Sequence, residues 1–357
     1  SVGEYFWKYQ VNKMYNRYFF WQFLGMDDDE TNVEAFRYLG IPFLLGLLGL
    51  AFQIGRDRKN AFAVFSLFFM TGLAIVLYLN QPDPQPRERD YSYVGSFFAF
   101  AIWIGLGVQA IFYMLKEGKT VENKVIGLGL AALLLIGSPI QMLAKDFHRK
   151  NRAGNYLAWD HSYNMLESCP PNAILFTFGD NDTFPLWYLQ EVENIRTDVR
   201  IVNLQLLNTD WYIYQLKHLE PKVKVNLTDE QIENIDRIVY GSEWVAKTVR
   251  VPVPKEYQMN EYYKKVNQLS YFSGKLPVDT SGFIQFRLEP HIYSQGYGLL
   301  RIQDHMILRI IHANKWEKPI CFSFTMPPSE MLDEMRNYLI VDGLIYRLTS
   351  QRGWAMN

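Results

Sequence analysis

The chain has 357 residues, 49% hydrophobic and 16% aromatic, with a formal net charge of −1. So even a charge balance leaves no basic footprint for nucleic acid, and that partner class is excluded. The length suits about two domains. Mean hydropathy is slightly negative, yet apolar runs concentrate between Tyr38 and Ala144 while most of the charge lies outside.

Residues 2–25 are crowded with rings, among them Tyr5, Trp7, Tyr9, Tyr15, Tyr18, Phe19, Trp21 and Phe23, with Lys8, Lys13 and Arg17 between them. Amphipathic rings favour the headgroup level, so residues 1–37 read as an interfacial aromatic segment. A soluble helix docked on the next domain fits equally. The first residues lack the basic stretch and apolar run of a signal peptide. Either internal spans direct insertion, or the sequence begins inside a longer protein. Thr31 or Asn32 is the expected N-cap of the next helix.

A bilayer core of ~30 Å requires about 20 mainly apolar helical residues. Segments 38–55, 60–79, 91–115 and 125–144 meet that requirement without any Asp, Glu, Lys or Arg. They predict a membrane α-helical region of about four transmembrane helices over residues 38–144. Arg56, Arg58 and Lys59 make the first connection basic, as Lys116, Lys119 and Lys124 do the third. By the positive-inside rule both face the cytoplasm, and the second connection faces outward. Lys145, Arg149, Lys150 and Arg152 argue the other way. Gly105, Gly107, Gly127, Gly129 and Gly137 permit close helix approach.

That second connection, QPDPQPRERDYSYVG over residues 81–95, places three prolines and a charge cluster between two apolar segments. Pro82, Pro84 and Pro86 keep it extended. Arg87, Glu88, Arg89 and Asp90 then stand where a membrane helix begins, beside Tyr91 and Tyr93. Guanidinium forks bind phosphate in two-pronged geometry, so the two arginines suit a lipid-linked phosphate. A surface cluster that only orients the helix also accounts for them.

From Asp146 the pattern changes to a soluble α/β domain with a mostly parallel sheet, spanning residues 145–357. A helix over 155–168 stops at Cys169-Pro170-Pro171. A strand over 173–178 runs into Gly179-Asp180-Asn181-Asp182-Thr183 and a helix, and a strand over 199–206 runs into Asn208-Thr209-Asp210 and another helix. Consecutive strand–cap–helix units imply parallel strands with right-handed crossovers, a Rossmann-like arrangement. A third strand is expected over 319–325 and a last helix over 329–339. Residues 220–297 interrupt the rhythm as an insertion, with a short helix at 228–238 and an antiparallel pair from 247–253 and 282–288. Cys169 and Cys321 are too few for a disulfide framework, although one bridge is open to them in an oxidising compartment.

In open parallel sheets, ligands bind beyond the carboxyl ends of the strands, where Asp180, Asp182 and Asn208 would meet. Two carboxylates separated by one residue after an apolar strand resemble the acidic motif of nucleotide-sugar glycosyltransferases, whose hard oxygens suit a divalent metal such as Mg²⁺ or Mn²⁺. The same residues are good turn and cap formers, with Asp182 or Thr183 capping the next helix. His305, Arg309 and His312 share one helix face. A histidine pair lacking a third ligand reads as hydrogen-bonded packing rather than a metal site. The sequence contains no phosphate-cradling glycine loop and no HExxH.

The stretches YQVNKMYNRYFFWQFLG at 9–25, QPRERDYSYVGSFFAFAIWIGLGV at 85–108 and AILFTFGDNDTFPLWYLQEVENIRTDVRIVNLQLLNT at 173–209 closely resemble a bacterial family of large multi-spanning membrane proteins similar to the animal transmembrane protein O-mannosyltransferases. The likeness extends through 299–324 and 338–348. It implies a glycosyltransferase of the membrane-embedded type, taking a sugar such as mannose from a polyprenyl-phosphate donor. The acceptor would be a protein or glycan at the outer face of a bacterial inner membrane, with the carboxyl-terminal domain in the periplasm. The acidic residue that such enzymes use as base lies in an early outward loop, expected upstream of this chain, so no catalytic base is assigned. Arg87 and Arg89, with Glu88 and Asp90 in the same motif, become donor-phosphate contacts by this resemblance, and Arg17 a secondary one. A non-catalytic membrane scaffold whose α/β domain binds a partner or glycan is the competing reading.

Overall fold

The computed structural model describes residues 2–27, 29, 32–34, 37–83, 85, 87–116, 121–255, 281–294 and 296–351. Thr31, Pro84, Pro86, Lys119 and residues 256–280 of the expected insertion, all invoked above, lie outside the described residues. The chain divides into two compact units, Ser1–Ala153 and Gly154–Asn357.

In the first unit, α1 (Val2–Glu4), a wide helix (Tyr5–Asn16) and α2 (Arg17–Phe23) follow one another. Most of their rings turn inward, while Tyr5 and Trp7 stay exposed. Tyr9, Met14, Tyr15, Tyr18 and Trp21 pack with Val76 and Tyr93, and Phe19 and Phe23 pack with Phe100 and Trp103. Phe19 meets Phe100 edge-on with centroids 4.9 Å apart, the arrangement that ring quadrupoles prefer.

Helix α3 (Ile41–Arg56) follows Leu39 and Gly40, both at positive φ. Asp57 caps α4 (Arg58–Thr71) by accepting from the Asn60 amide at 3.1 Å, and α5 (Leu73–Leu79) ends at Asn80 in the left-handed region. After a 3₁₀ turn (Asp90–Tyr93) come α6 (Val94–Lys116) and α7 (Val121–Lys150).

The expectation of about four transmembrane helices is corrected here. Among the described residues two helices are long and apolar enough to cross a membrane, Arg58–Leu79 with 22 residues and Asp90–Met114 with 25. Segment 38–55 falls short because the left-handed residues at its start leave a helix of only 16 residues, about 24 Å at 1.5 Å per residue. Segment 125–144 lies inside α7, where several side chains, those of Gly127, Leu130, Ala131, Leu135 and Ser138 among them, are outside the described set. It is not among the two.

The second unit holds α8 (Leu157–Ser168), β1 (Ile174–Thr177), α9 (Asp180–Glu191), β2 (Arg200–Asn203), α10 (Asp210–His218), α11 (Asp229–Glu233), α12 (Ile235–Tyr240), β3 (Lys247–Pro252), β4 (Phe283–Leu288), β5 (Ile292–Ser294), β6 (Tyr297–Leu299), α13 (Ile302–Asn314), β7 (Ile320–Ser323), β8 (Leu339–Asp342) and β9 (Ile345–Leu348). The main sheet runs β2-β1-β7-β9-β8. Strands β2, β1 and β7 are parallel, whereas β9 is antiparallel to both β7 and β8. The sheet is therefore mixed, not mostly parallel.

The reason lies in the tail. Residues 329–339, expected as a helix, form short 3₁₀ turns, and the chain then makes a β8–β9 hairpin around Gly343 at φ 64°. Asp342-Gly343 between alternating apolar residues is a strong hairpin signal.

Alternation along the strands sends side chains to two cores. Ile174 and Phe176 join Val202, Phe322 and α13 on one face. Leu175 and Cys321 join Met165, Leu166, Leu186 and Leu189 of α8 and α9 on the other. Strands β3 and β4 pair antiparallel from Lys247↔Leu288 to Pro252↔Phe283 as a separate ribbon.

Candidate functional site

Two polar constellations contain the residues singled out in the sequence, one in each unit. In the first unit, the chain leaving α5 is anchored from the N-terminal helix. Tyr5 Oη donates to the Gln81 carbonyl at 2.6 Å, Tyr9 Oη to the Pro82 carbonyl at 2.7 Å and Gln10 Nε2 to Asn80 Oδ1 at 2.7 Å. These bonds present residues 87–90 beside α2. Arg17 reaches Glu88 with Nη2–Oε2 at 2.6 Å, its guanidinium lying 4.8 Å from the Tyr18 ring centroid and 4.4 Å from that of Trp21.

Tyr18 donates its hydroxyl to Glu88 and accepts the Arg89 amide at 3.0 Å. Burial and the Glu88 carboxylate push the Tyr18 phenol well above its usual range, so it remains a donor. Arg89 Nε donates to Gln85 Oε1 at 3.2 Å and its Nη1 to Tyr91 Oη at 2.6 Å. Arg87 lies 5.9 Å from the Tyr91 ring centroid, and Asp90 accepts from Gln22 Nε2 at 3.5 Å. Residues 71 positions apart thus form one cluster. Arg17 pairs with Glu88, and the exposed Arg87 and half-buried Arg89 flank the exposed Tyr91 with the Asp90 carboxylate in the same cluster.

Sequence reasoning missed a second knot in this unit. Arg37, only 7% exposed, donates from Nε to Asp146 Oδ1 at 3.1 Å. Tyr38 also donates to Asp146, and Arg149 Nη2 reaches the Asp27 carbonyl at 2.9 Å. The sequence marks Arg149 only as a topology signal; its contact on Asp27 is a packing role that spacing cannot reveal.

In the second unit, the carboxyl edge of the parallel strands is knit by hydrogen bonds. Helix α9 begins at Asp180 with Gly179 (φ 83°) as its N-cap, three and four residues before the caps expected at Asp182 or Thr183. Asp182 instead accepts the Phe178 amide at 3.0 Å, Ser323 Oγ at 2.8 Å and Thr325 Oγ1 at 2.5 Å, tying the β1–α9 turn to the end of β7. Asn208 and Gln303 bond twice, Asn208 Nδ2 to Gln303 Oε1 at 2.8 Å and the Gln303 amide to Asn208 Oδ1 at 3.0 Å. Asp180 is exposed at the same edge. Asp182 and Asn208 therefore brace the edge, and Asp180 is the one of the three free to face a ligand.

Gln303 extends the network to residues that spacing did not flag. Its Nε2 donates to Glu330 Oε2 at 2.8 Å, which also receives Arg301 Nη1 at 2.6 Å. Arg301 pairs with Asp304 at 2.9 Å, and His291 Nδ1 lies 2.7 Å from Asp304 Oδ2. Asp304 is fully buried. Burial pushes its carboxyl up, but the bonds from His291 and Arg301 outweigh this and hold it below the usual range. The detectable signal was an arginine followed three residues later by an acid at a helix start. Among the described residues no group of three or more His, Cys, Asp or Glu side chains is placed to hold a metal ion, and the Asp182 oxygens are already engaged by Phe178, Ser323 and Thr325.

The chain is 24% identical over 220 residues to Protein O-mannosyl-transferase tmem260 of Dictyostelium discoideum, a match covering 55% of this chain and 26% of that protein. The chain thus spans about a quarter of the relative's length. No solved structure matches it. The family model for TMEM260-associated domain 2 matches residues 158–353, more than half of the chain and nearly all of the second unit, and the chain belongs to that family.

Proposed function

We propose that the chain is part of a membrane glycosyltransferase that moves a sugar, mannose by analogy with the relative, from a polyprenyl-phosphate donor to a protein or glycan acceptor at the outer face of the membrane. The observation that carries this reading is the 220-residue likeness to a protein named as an O-mannosyl-transferase. The two helices able to cross a membrane support a membrane setting, a bacterial inner membrane by the family resemblance, with the second unit on the periplasmic side. Arg87 and Arg89 supply the donor-phosphate contacts. Their charge beside Tyr91 stabilises the negative leaving phosphate as the glycosidic bond breaks. Arg17, Glu88 and Asp90 hold that pair in place, and the edge carrying Asp180 faces the acceptor.

The test is sugar transfer from polyprenyl-phosphate-mannose by the full-length protein in membranes, comparing wild type with Arg87→Ala and Arg89→Ala. Each lost charge-assisted contact is worth about 1.5–3 kcal/mol, so transfer is expected to fall roughly ten- to a hundredfold. Unchanged transfer in both variants returns these arginines to a structural role. Absence of transfer by wild type from several lipid-linked donors favours a scaffold whose second unit binds a partner or glycan, a reading supported by the family match lying in the unit outside the apolar helices.

A further inference from the structure

One face of α13 carries a cluster that the proposed transferase reading leaves unused. His305, Arg309 and His312, one and two turns apart, line a cavity of about 390 Å³ with Asn226, Lys247 and Thr248. That volume falls in the range of small-ligand sites, and no carboxylate lines it.

The bonds within the cavity show how its charge is held. Arg309 Nε donates to His305 Nε2 at 2.6 Å and Nη1 to the Asn226 carbonyl at 3.1 Å. Because His305 accepts at Nε2, it is the neutral tautomer with its proton on Nδ1. Burial, then the Arg309 and Lys247 charges, lower its pKa to about 4. Lys247 Nζ rests over the Trp244 ring, 3.9 Å from the centroid. Among the described residues neither Arg309 nor Lys247 meets a carboxylate. Elsewhere in this unit Arg196, Arg301 and Arg347 each pair with one, at 2.8, 2.9 and 3.1 Å. A partly buried guanidinium without a counter-anion is costly, and burial indeed lowers the Arg309 pKa.

We propose that this cavity is a binding site for a phosphate group, held by the Arg309 guanidinium and Lys247 ammonium with the His312 ring as a further donor. With Nε given to His305 and one Nη1 hydrogen to Asn226, Arg309 offers a phosphate its Nη2 and the second Nη1 hydrogen. Trp244 lines the same cavity, with the Lys247 ammonium over its ring. Two sources share this chemistry, a soluble phosphorylated sugar and an anionic lipid headgroup.

The test uses the full chain in neutral nanodiscs and isothermal calorimetry with inorganic phosphate, mannose 1-phosphate and mannose, alongside co-sedimentation with vesicles of phosphatidylcholine alone or with phosphatidylglycerol. Expected is binding of mannose 1-phosphate or of the anionic vesicles, and none of mannose, weakened at least tenfold by Arg309→Gln and severalfold by Lys247→Gln. Lys247 is exposed, so the second variant reads binding even where the first disturbs folding. Binding of the soluble ester identifies a phosphorylated sugar as the source; binding of anionic vesicles alone identifies a lipid. Binding that survives both substitutions, or no binding of any phosphate by wild type, overturns the site. Sugar transfer is not the readout, so this outcome is separate from that of the transferase test.

Discussion

His305 and His291 lie in the same unit, and their surroundings move their charge in opposite directions. Burial and neighbouring cations hold His305 near about 4 against an ordinary 6.5. As pH falls below about 6.5 the unfolded chain takes up this proton before the folded one does, so stability is lost between about 6.5 and about 4. For His291, the hydrogen bond to Asp304 outweighs burial and raises the pKa. Its contribution is full below about 6.5 and disappears as pH rises through the folded value. His305→Gln is therefore expected to flatten the acid-side fall in thermal midpoint between about pH 6.5 and 4, leaving the neutral side unchanged. A variant with the wild-type slope in that window would refute this assignment. The His305–Arg309–His312 face was legible from helical spacing. Its acid-free surroundings were not, because they depend on Lys247 arriving from a strand 58 residues earlier in the chain.

Strand β2 illustrates the same limit at the scale of an element. It is the outer parallel strand, and an unpaired edge invites another chain to add on. Here side chains occupy that edge. Tyr212 Oη accepts the Asn203 amide at 3.0 Å and donates to the Ile201 carbonyl at 3.4 Å. Gln190 Nε2 donates to the Val199 carbonyl at 2.7 Å. Tyr212→Phe keeps the packing but leaves a buried amide and carbonyl unpaired. We expect a loss of about 1–3 kcal/mol in stability and a new tendency to self-associate, read by chemical unfolding and size-exclusion chromatography. A fully stable, monodisperse variant would mean that water replaces the hydroxyl.

Helices α3 and α6 make a comparable point. A Cβ added at Gly49 would lie 1.8 Å from the Trp103 carbonyl oxygen, and one at Gly107 would lie 2.1 Å from that of Leu45. Gly107 was expected to permit close approach. Gly105, from the same reading, faces open space, because spacing marks small residues without saying which side meets a neighbour.

Across the whole molecule, each unit closes its own cores. Among the described residues, the clusters built around Tyr18 and Phe100 draw on residues before Ala153, and those around Phe176 and Leu175 on residues after Gly154. A fragment beginning at Gly154 is therefore expected to be soluble and to unfold in a single cooperative transition. Dye binding typical of loose packing, or a broad non-cooperative melt, would show that it depends on the first unit. Sequence alone determined the local quantities: apolar runs, the strand–helix beginnings at β1 and β2, the charge cluster at residues 87–90, and the family likeness. Each depends on neighbours a few residues away, or on a motif read whole. Tertiary structure decided what depends on distant partners. It showed that the amino-terminal rings form a core, that Asp182 and Asn208 brace the sheet edge, and that a hairpin in the tail makes the sheet mixed. It also placed the Arg309 charge opposite no acid among the described residues. These outcomes follow from which surfaces meet and which charges are desolvated together, and one-dimensional spacing does not encode that.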